Sequence, residues 1–519
     1  MALTQALEAF LVAEGAGRSA ATPEIKTPKI HVDEIAAKIA LFYEKVRNII
    51  DYQDEHLLRK QTILRALKRR LILTLDGKIA EPFIKDIIRS GHLKNDSVPE
   101  SAIIEVQQII DGTRLLKKAG LDEEWLVTMS GNAIEEKLFP PVEETALFDL
   151  AFQTMKPNLV LGGSRLKPEE VTLALSIALQ RALFRVDEDR LTYRLLKLLY
   201  PNWDALNEAD AVRIASEVPA MRAHIQRMSE TRETQALLGL CNRYNTAFFL
   251  IADIARSAPN DDIRRAMFEN EVELGAAVER AYSERFLKEK GRLNRLAWLS
   301  VISFLISKIA IAIAIEIPLE RYVINSDFSI VNTLLNIIFP PLLMGGIVSA
   351  ITMPGGKNLD LAIVEVRRIV SQDAERLYRA STPRRRGVVG SVLMYGSYLA
   401  TFGVSFWLLI RLLQGIGFNV ANIVVFLLFT SLVAAAGVKI QNRAKELSFE
   451  AEEATVGGFV LDLFAMPLVT VGRWIIAGLA QFNVLVLLIN LIIELPFQFL
   501  IEFLENFREF IQHKKGEIR

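Results

Sequence analysis

The stretch VVGSVLMYGSYLATFGVSFWLLIRLL, residues 388–413, is followed after only Gln414, Gly415, Ile416 and Gly417 by FNVANIVVFLLFTSLVAAAGV, residues 418–438. Each run exceeds the roughly 18 apolar residues that a helix needs to cross about 30 Å of hydrocarbon. Two such runs with so short a connection read as two successive membrane spans. Residues 297–319 and 331–353 have the same character, so four spans are expected between Ala297 and Val438.

Working back from Ala297, the chain changes character, with charged residues every few positions. A length of 519 residues suggests about three units at a prior of ~150 residues each. Lys plus Arg and Asp plus Glu are equal at 61 each, so no net field favours nucleic acid. Cys241 is the only cysteine, which excludes an intrachain disulfide and a cysteine metal cluster within one chain. The leader, residues 1–28, has a short apolar core interrupted by Glu8 and Glu14 and no basic flank, so a flexible or amphipathic segment is expected rather than a cleaved signal.

Residues 29–296 read as an irregular all-α cytoplasmic domain. Apolar positions at three- and four-residue steps, Ile35, Ile39, Phe42, Val46 and Ile49 and then Leu57, Leu64, Leu67 and Leu71, predict one or two helices over 33–73. Further helices are expected over 99–116, 168–185 and 187–199. Pro168, Glu169 and Glu170 place proline in the first turn and acids at the positive end of the helix dipole, and Pro201 closes the run ending at Tyr200. No stretch alternates long enough to predict a strand. After Pro259, Asn260 and Asp261 are cap candidates, and no proline recurs until Pro318, so a stiff helix could run into the first span, with Gly275 and Gly291 as the points where it could break.

Flanking charges orient the spans. Arg285, Lys288, Lys290, Arg292 and Arg295 precede the first, and Arg321 alone stands in the first connection. Lys357, Arg367, Arg368, Arg376, Arg379 and the run Arg384, Arg385, Arg386 fill the second. The third has no basic residue, and Lys439, Arg443 and Lys445 follow the fourth. This alternation places both termini and the second connection in the cytoplasm, in a multi-pass protein of the cell membrane. The arginine triplet reads as a contact with anionic inner-leaflet headgroups. The preceding segment, within 358–386, has Leu359, Ile363, Val366, Val370 and Leu377 near one face, as in a helix lying on the membrane surface.

The chain after residue 440, 441–519, has two further apolar stretches, 459–480 and 482–510. The first holds Asp462, Pro467 and Arg473, and the second carries a polar stripe of Asn483, Asn490, Glu494, Gln498, Glu505 and Glu509. Amphipathic helices associated with the inner leaflet are expected there. A hairpin that adds a fifth and sixth span is the alternative.

No phosphate-binding glycine loop, dinucleotide fingerprint, HExxH or zinc-type cysteine pairing occurs, so no cofactor is expected. The five histidines are scattered outside the expected spans. Gly162, Gly163 and Ser164 read as an ordinary loop. What remains is polar groups at membrane depth: Lys308 and Glu316 on one side of the first span, and Asn332 and Asn336 one turn apart in the second. A charge there is costly and must face protein, water or a partner. These residues are either a polar path or a clamp that fixes the bundle. Pro340, Pro341, Gly345 and Gly346 are expected to interrupt the second span near its middle, as a kink that shapes the bundle rather than the broken helix of a transporter site. Small-residue stripes, Ser300, Ser303, Ser307, Ala310 and Ala314 on the first span and Gly396, Ala400 and Gly403 on the third, suit close helix packing. With no catalytic constellation, the expected function is a non-enzymatic, membrane-anchored interaction or scaffold protein, with protein partners or self-association through the cytoplasmic domain. A transporter, channel or lipid-handling protein is the alternative.

Overall fold

A computed structural model describes residues 1–20, 28–32, 55–73, 77–313, 330–349, 356–382, 387–444 and 456–481. In chain order its helices are α1 (Gln5–Ala20), α2 (Glu55–Leu73), α3 (Ala80–Arg89), α4 (Ser101–Lys118), α5 (Glu123–Leu138), α6 (Val142–Met155), α7 (Pro168–Phe184), α8 (Glu188–Leu199), α9 (Glu208–Glu230), α10 (Arg232–Ser257), α11 (Asp261–Glu269), α12 (Glu271–Ile311), α13 (Ile330–Ser349), α14 (Gly356–Val370), α15 (Val388–Gly415), α16 (Val420–Ala444) and α17 (Val456–Gln481). Two short strands, β1 (Leu159–Gly162) and β2 (Tyr378–Ser381), pair with each other. The protein is mostly helical, and its contacts divide it into two units.

One unit holds Ala9–Leu159 and Ser164–Leu238. Its helices start where short polar side chains take up free amides: Asp122 accepts from Trp125 N (2.9 Å), Asp187 from Arg190 N (2.7 Å) and Asn207 from Asp210 N (2.8 Å). Pro168 opens α7, and Glu170 Oε2 accepts from Lys167 N at 2.9 Å, the reciprocal contact that closes a helix start. Helix α5 is the axis of the core. Nearly every residue from Trp125 to Glu135 is buried, among Ile63, Leu67, Phe83, Ile84, Val106, Ile109 and Leu196. Gly131 permits the approach of α2, since a Cβ there would lie 2.5 Å from Leu64 Cδ2. Of the helical region expected over 33–73, residues 33–54 lie outside the described residues.

The other unit holds Met1–Glu8, Val160–Gly163 and Gly239–Val484, so charged helices and apolar helices belong to one packed body. Asn260 Oδ1 caps α11 through Ile263 N at 2.8 Å. The helix does not run on, because Asn270 turns extended and caps a new one through Val272 N (3.0 Å) and Glu273 N (3.4 Å). From there α12 continues unbroken for 41 residues through both Gly275 and Gly291. Helix α13 likewise stays helical through Pro340 and Pro341, where the sequence led us to expect an interruption. Both rings are buried. Apolar helices tolerate proline in this way when flanking helices hold the backbone.

The segment expected to rest on the membrane forms α14, and much of its apolar face is already covered by protein. Ala362, Val366, Ile369 and Val370 are fully buried. Asn358 Nδ2 donates to Tyr282 Oη of α12 (2.8 Å), and Arg367 pairs with Glu271 at 3.0 Å. The C-terminal carbonyls of α14 are taken up by the start of the chain, with Thr4 N donating to Val370 O (3.0 Å) and Thr4 Oγ1 to Ile369 O (3.2 Å). The loop at Gly162 and Gly163 holds the chain beyond β2, because Gly162 O accepts from both Thr382 N and Thr382 Oγ1 at 3.0 Å. Gly163 has φ +74°, and a Cβ there would come 2.8 Å from Thr382 Oγ1.

Among the described residues two helices are long and apolar enough to cross a membrane, Val388–Gly415 and Asn422–Gln441. Shorter apolar helices cover Leu334–Ile347 and Ala465–Gly478. The expected span 297–319 is described only as far as Ile313. Helices α15 and α16 differ in surroundings: only 6% of the apolar window of α15 is buried, against 56% for α16. Helix α17 lies directly on α16. A Cβ at Gly472 would sit 1.9 Å from Ser431 O and 2.8 Å from Ala435 Cβ, so the two backbones touch. Gly396 and Gly403 have open space beside them, so that stripe on α15 is not used within the described chain.

Candidate intramembrane polar site

Helices α12, α13 and α16 pack on one another through an apolar layer of Leu293, Val301, Leu343, Met344, Ile347, Val433, Ala436 and Ile440. Lys308 follows Val301 by seven residues, two turns along the same face of α12, and is fully buried. Asn336 precedes Leu343 by seven residues on α13, again on the same face, and is also fully buried. The register therefore raises a polar layer above the apolar one. Its third side is the aromatic ring of Phe429 on α16, whose centroid lies 4.6 Å from Lys308 Nζ. Nearby on α16, Phe426 belongs to an aromatic row, 5.0 Å from Phe339 and 5.8 Å from Phe418.

A ring face gives an ammonium an electrostatic partner without requiring a second charge, and its worth rises where water is excluded. The group that sequence reading placed at membrane depth is thus seated inside the protein. Asn332 Nδ2 donates to Gly417 O at 2.8 Å, tying α13 to the connection between α15 and α16, where Gly417 has φ +91°. Glu316 lies outside the described residues, as do Arg384, Arg385 and Arg386. Next to Phe429, Thr430 and Ser431 are buried, and neither hydroxyl has a hydrogen-bond partner among the described residues.

The first unit contains a charged network that sequence reading missed. Arg194 bridges Glu136 (3.3 Å), Glu144 (2.5 Å) and Gln180 (2.7 Å), and Arg190 also reaches Glu144 at 3.1 Å. Lys197 contacts Glu136 (3.3 Å), Asp204 (3.1 Å) and Tyr193 Oη (3.2 Å). Burial and the carboxylates of Glu136 and Asp204 hold the Tyr193 phenol far above its ordinary range. For Lys197 burial pulls downward, and the same two carboxylates outweigh it, leaving its ammonium more firmly charged. Charges of both signs satisfy one another, which describes a clamp joining α5, α6, α7 and α8. One turn before Glu136, Asn132 is 1% exposed, and neither its oxygen nor its nitrogen has a hydrogen-bond partner among the described residues. The spacing of Arg190 and Arg194, one turn apart, was the available signal, but their partners lie on three other helices.

Near α14, burial raises the Glu365 carboxyl against the opposing pull of Arg368, and burial next to Glu365 raises the Tyr378 phenol. Burial pushes the Cys241 thiol up to about 12, which keeps it protonated and unreactive. No group of three His, Cys, Asp or Glu able to hold a metal occurs among the described residues. No protein-family model, no curated protein and no solved structure matches the chain.

Proposed function

We propose that the chain is a multi-pass integral membrane protein whose cytoplasmic helical region, 29–296, binds a protein partner or a second copy, while its spans hold that complex at the membrane. The observation that carries the membrane part is α15. Val388, Val389, Val392, Leu393, Tyr395, Leu399, Trp407 and Leu412 are all more than half exposed around one helix. A helix apolar on every side is suited to lipid, not water. Four spans, 297–319, 331–353, 388–413 and 418–438, with both termini cytoplasmic, fit the distribution of basic residues. The contact of α17 with the middle of α16 favours a further span in that region over a helix confined to the surface. Anionic inner-leaflet headgroups opposite Arg384, Arg385 and Arg386 complete the partners proposed.

The protein should resist extraction by alkaline carbonate and float with vesicles, and release into the supernatant would overturn the membrane reading. Labelling of Gln414–Gly417 from outside intact cells tests the orientation. Cross-linking in cells that gives neither partner nor oligomer counts against the scaffold role. A transporter, channel or lipid-handling role is the second reading, supported by the full burial of Lys308 between three helices. Lys308→Leu decides between them: lost flux or altered lipid distribution at unchanged stability favours transport, and no change in either leaves a structural lysine.

A further inference from the structure

Arg473 lies beside the glycine at which α17 touches α16. Ser431, the residue touched, falls at the centre of the apolar helix Asn422–Gln441. One turn away, Thr470 Oγ1 meets Tyr398 Oη at 3.1 Å, and Tyr398 is about 15 Å along α15 from its start at Val388. Two neighbouring helices thus independently set residues 470–474 near mid-depth. Arg473 is exposed there, and no hydrogen bond or ion pair to it occurs among the described residues. Of its exposed neighbours, Met466 at 50%, Trp474 at 77% and Ile476 at 45% are apolar, and Thr470, the polar one, turns its hydroxyl to Met466 O (2.8 Å) and Tyr398 Oη.

Outside the chain's own residues, four surroundings are open to such a group, and three fit poorly. Headgroups lie about 15 Å away, half the hydrocarbon thickness, farther than an arginine side chain extends. A water-filled path would be lined by polar groups, not by Trp474, Met466 and Ile476. A second copy related by a two-fold axis at this face would set Arg473 against its own like charge. The fourth is pairing, since intramembrane charges pair with one another. Resting on the membrane reading above, we infer that the exposed face of α17 around Arg473 and Trp474 docks a membrane-embedded helix of a partner protein that carries an aspartate or glutamate at mid-depth.

The test uses the full-length protein in lipid nanodiscs and a labelled leucine-rich peptide, long enough to span, with a single central glutamate. A matched peptide with glutamine is the control. Energy transfer should show at least tenfold tighter association of the glutamate peptide, a preference lost in Arg473→Gln and kept in Arg473→Lys. Equal binding of both peptides to the unaltered protein overturns the inference without any variant. So does unchanged preference in Arg473→Gln. In a Cys241→Ser background, modification of Arg473→Cys by a membrane-impermeant thiol reagent would mean water at this face, and disulfide-linked dimers would mean a second copy; either result refutes it. Flotation of the same preparations tests membrane insertion separately, so failure of the membrane reading and failure of the docking face are distinguishable.

Discussion

Alanine at Gly472 would place a methyl group 1.9 Å from Ser431 O, 2.6 Å from Ser431 C and 2.8 Å from Ala435 Cβ. A carbon normally approaches a carbonyl oxygen to about 3.3 Å, so α16 and α17 must separate by roughly 1.4 Å along that line. The obstacle is helix backbone, which cannot swing aside as a side chain does. Overpacking of this kind costs about 1–3 kcal/mol, against which alanine regains up to about 1 kcal/mol of helix propensity. A backbone obstacle belongs at the upper end of that range, so a net loss of about 2 kcal/mol is expected. Gly478, in the same helix, has nothing within 4 Å of its Cβ position, so Gly478→Ala should instead gain about 0.5–1 kcal/mol. Unfolding in detergent by a denaturing surfactant, followed by tryptophan fluorescence with Trp474 close to the contact, measures both. Equal effects of the two substitutions, or an unaltered midpoint for Gly472→Ala, would refute the backbone contact.

Gly163→Ala should destabilise by about 1–3 kcal/mol, since it combines φ +74° with a contact at 2.8 Å, and should speed hydrogen exchange of the Thr382 amide. Asn132→Leu removes two buried unpaired polar atoms and should stabilise by about 1–2 kcal/mol in thermal unfolding. Glu365 has a folded-state pKa above its unfolded one, so the folded state binds more protons and stability falls as pH rises from the unfolded value toward the folded one. Glu365→Gln should therefore gain stability relative to the unaltered protein at about pH 7 but not at about pH 4, which melting curves at the two values would show.

The two long apolar helices α15 and α16 were legible because run length requires no knowledge of partners. Helix starts at Pro168, Asp187 and Asn260 were legible for a similar reason, since caps act within three residues. Features that depend on distant residues were not. The break at Asn270 competes with an uninterrupted helical pattern, and Gly162 meets Thr382 only because residues 220 positions apart are brought together. The apolar stripe of α14 was visible, but sequence could not say that Tyr282, α12 and the first residues of the chain would cover it. Lys308 could be assigned a depth and a cost from its position alone, whereas Phe429 as its counterpart depends on the register of α16 against α12. That α13 stays helical through its prolines was not legible, because it depends on α12 and α16 packing against it.

Helix α12 has a mechanical consequence of its own. It is a single piece about 60 Å long, anchored near its start by Glu271 to Arg367 and carrying Lys308 near its far end. A continuous hydrogen-bonded helix resists twisting, so a rotation imposed at one end would reach the other, as in a crankshaft. Turning its first turns by about 20° around the axis would move side chains at its surface by about 2 Å. That is enough to lift an ammonium off the ring beneath it. Phase, not distance, is the quantity such a shaft conveys, and inserting one residue, a shift of about 100°, would put its two ends out of step while leaving each intact.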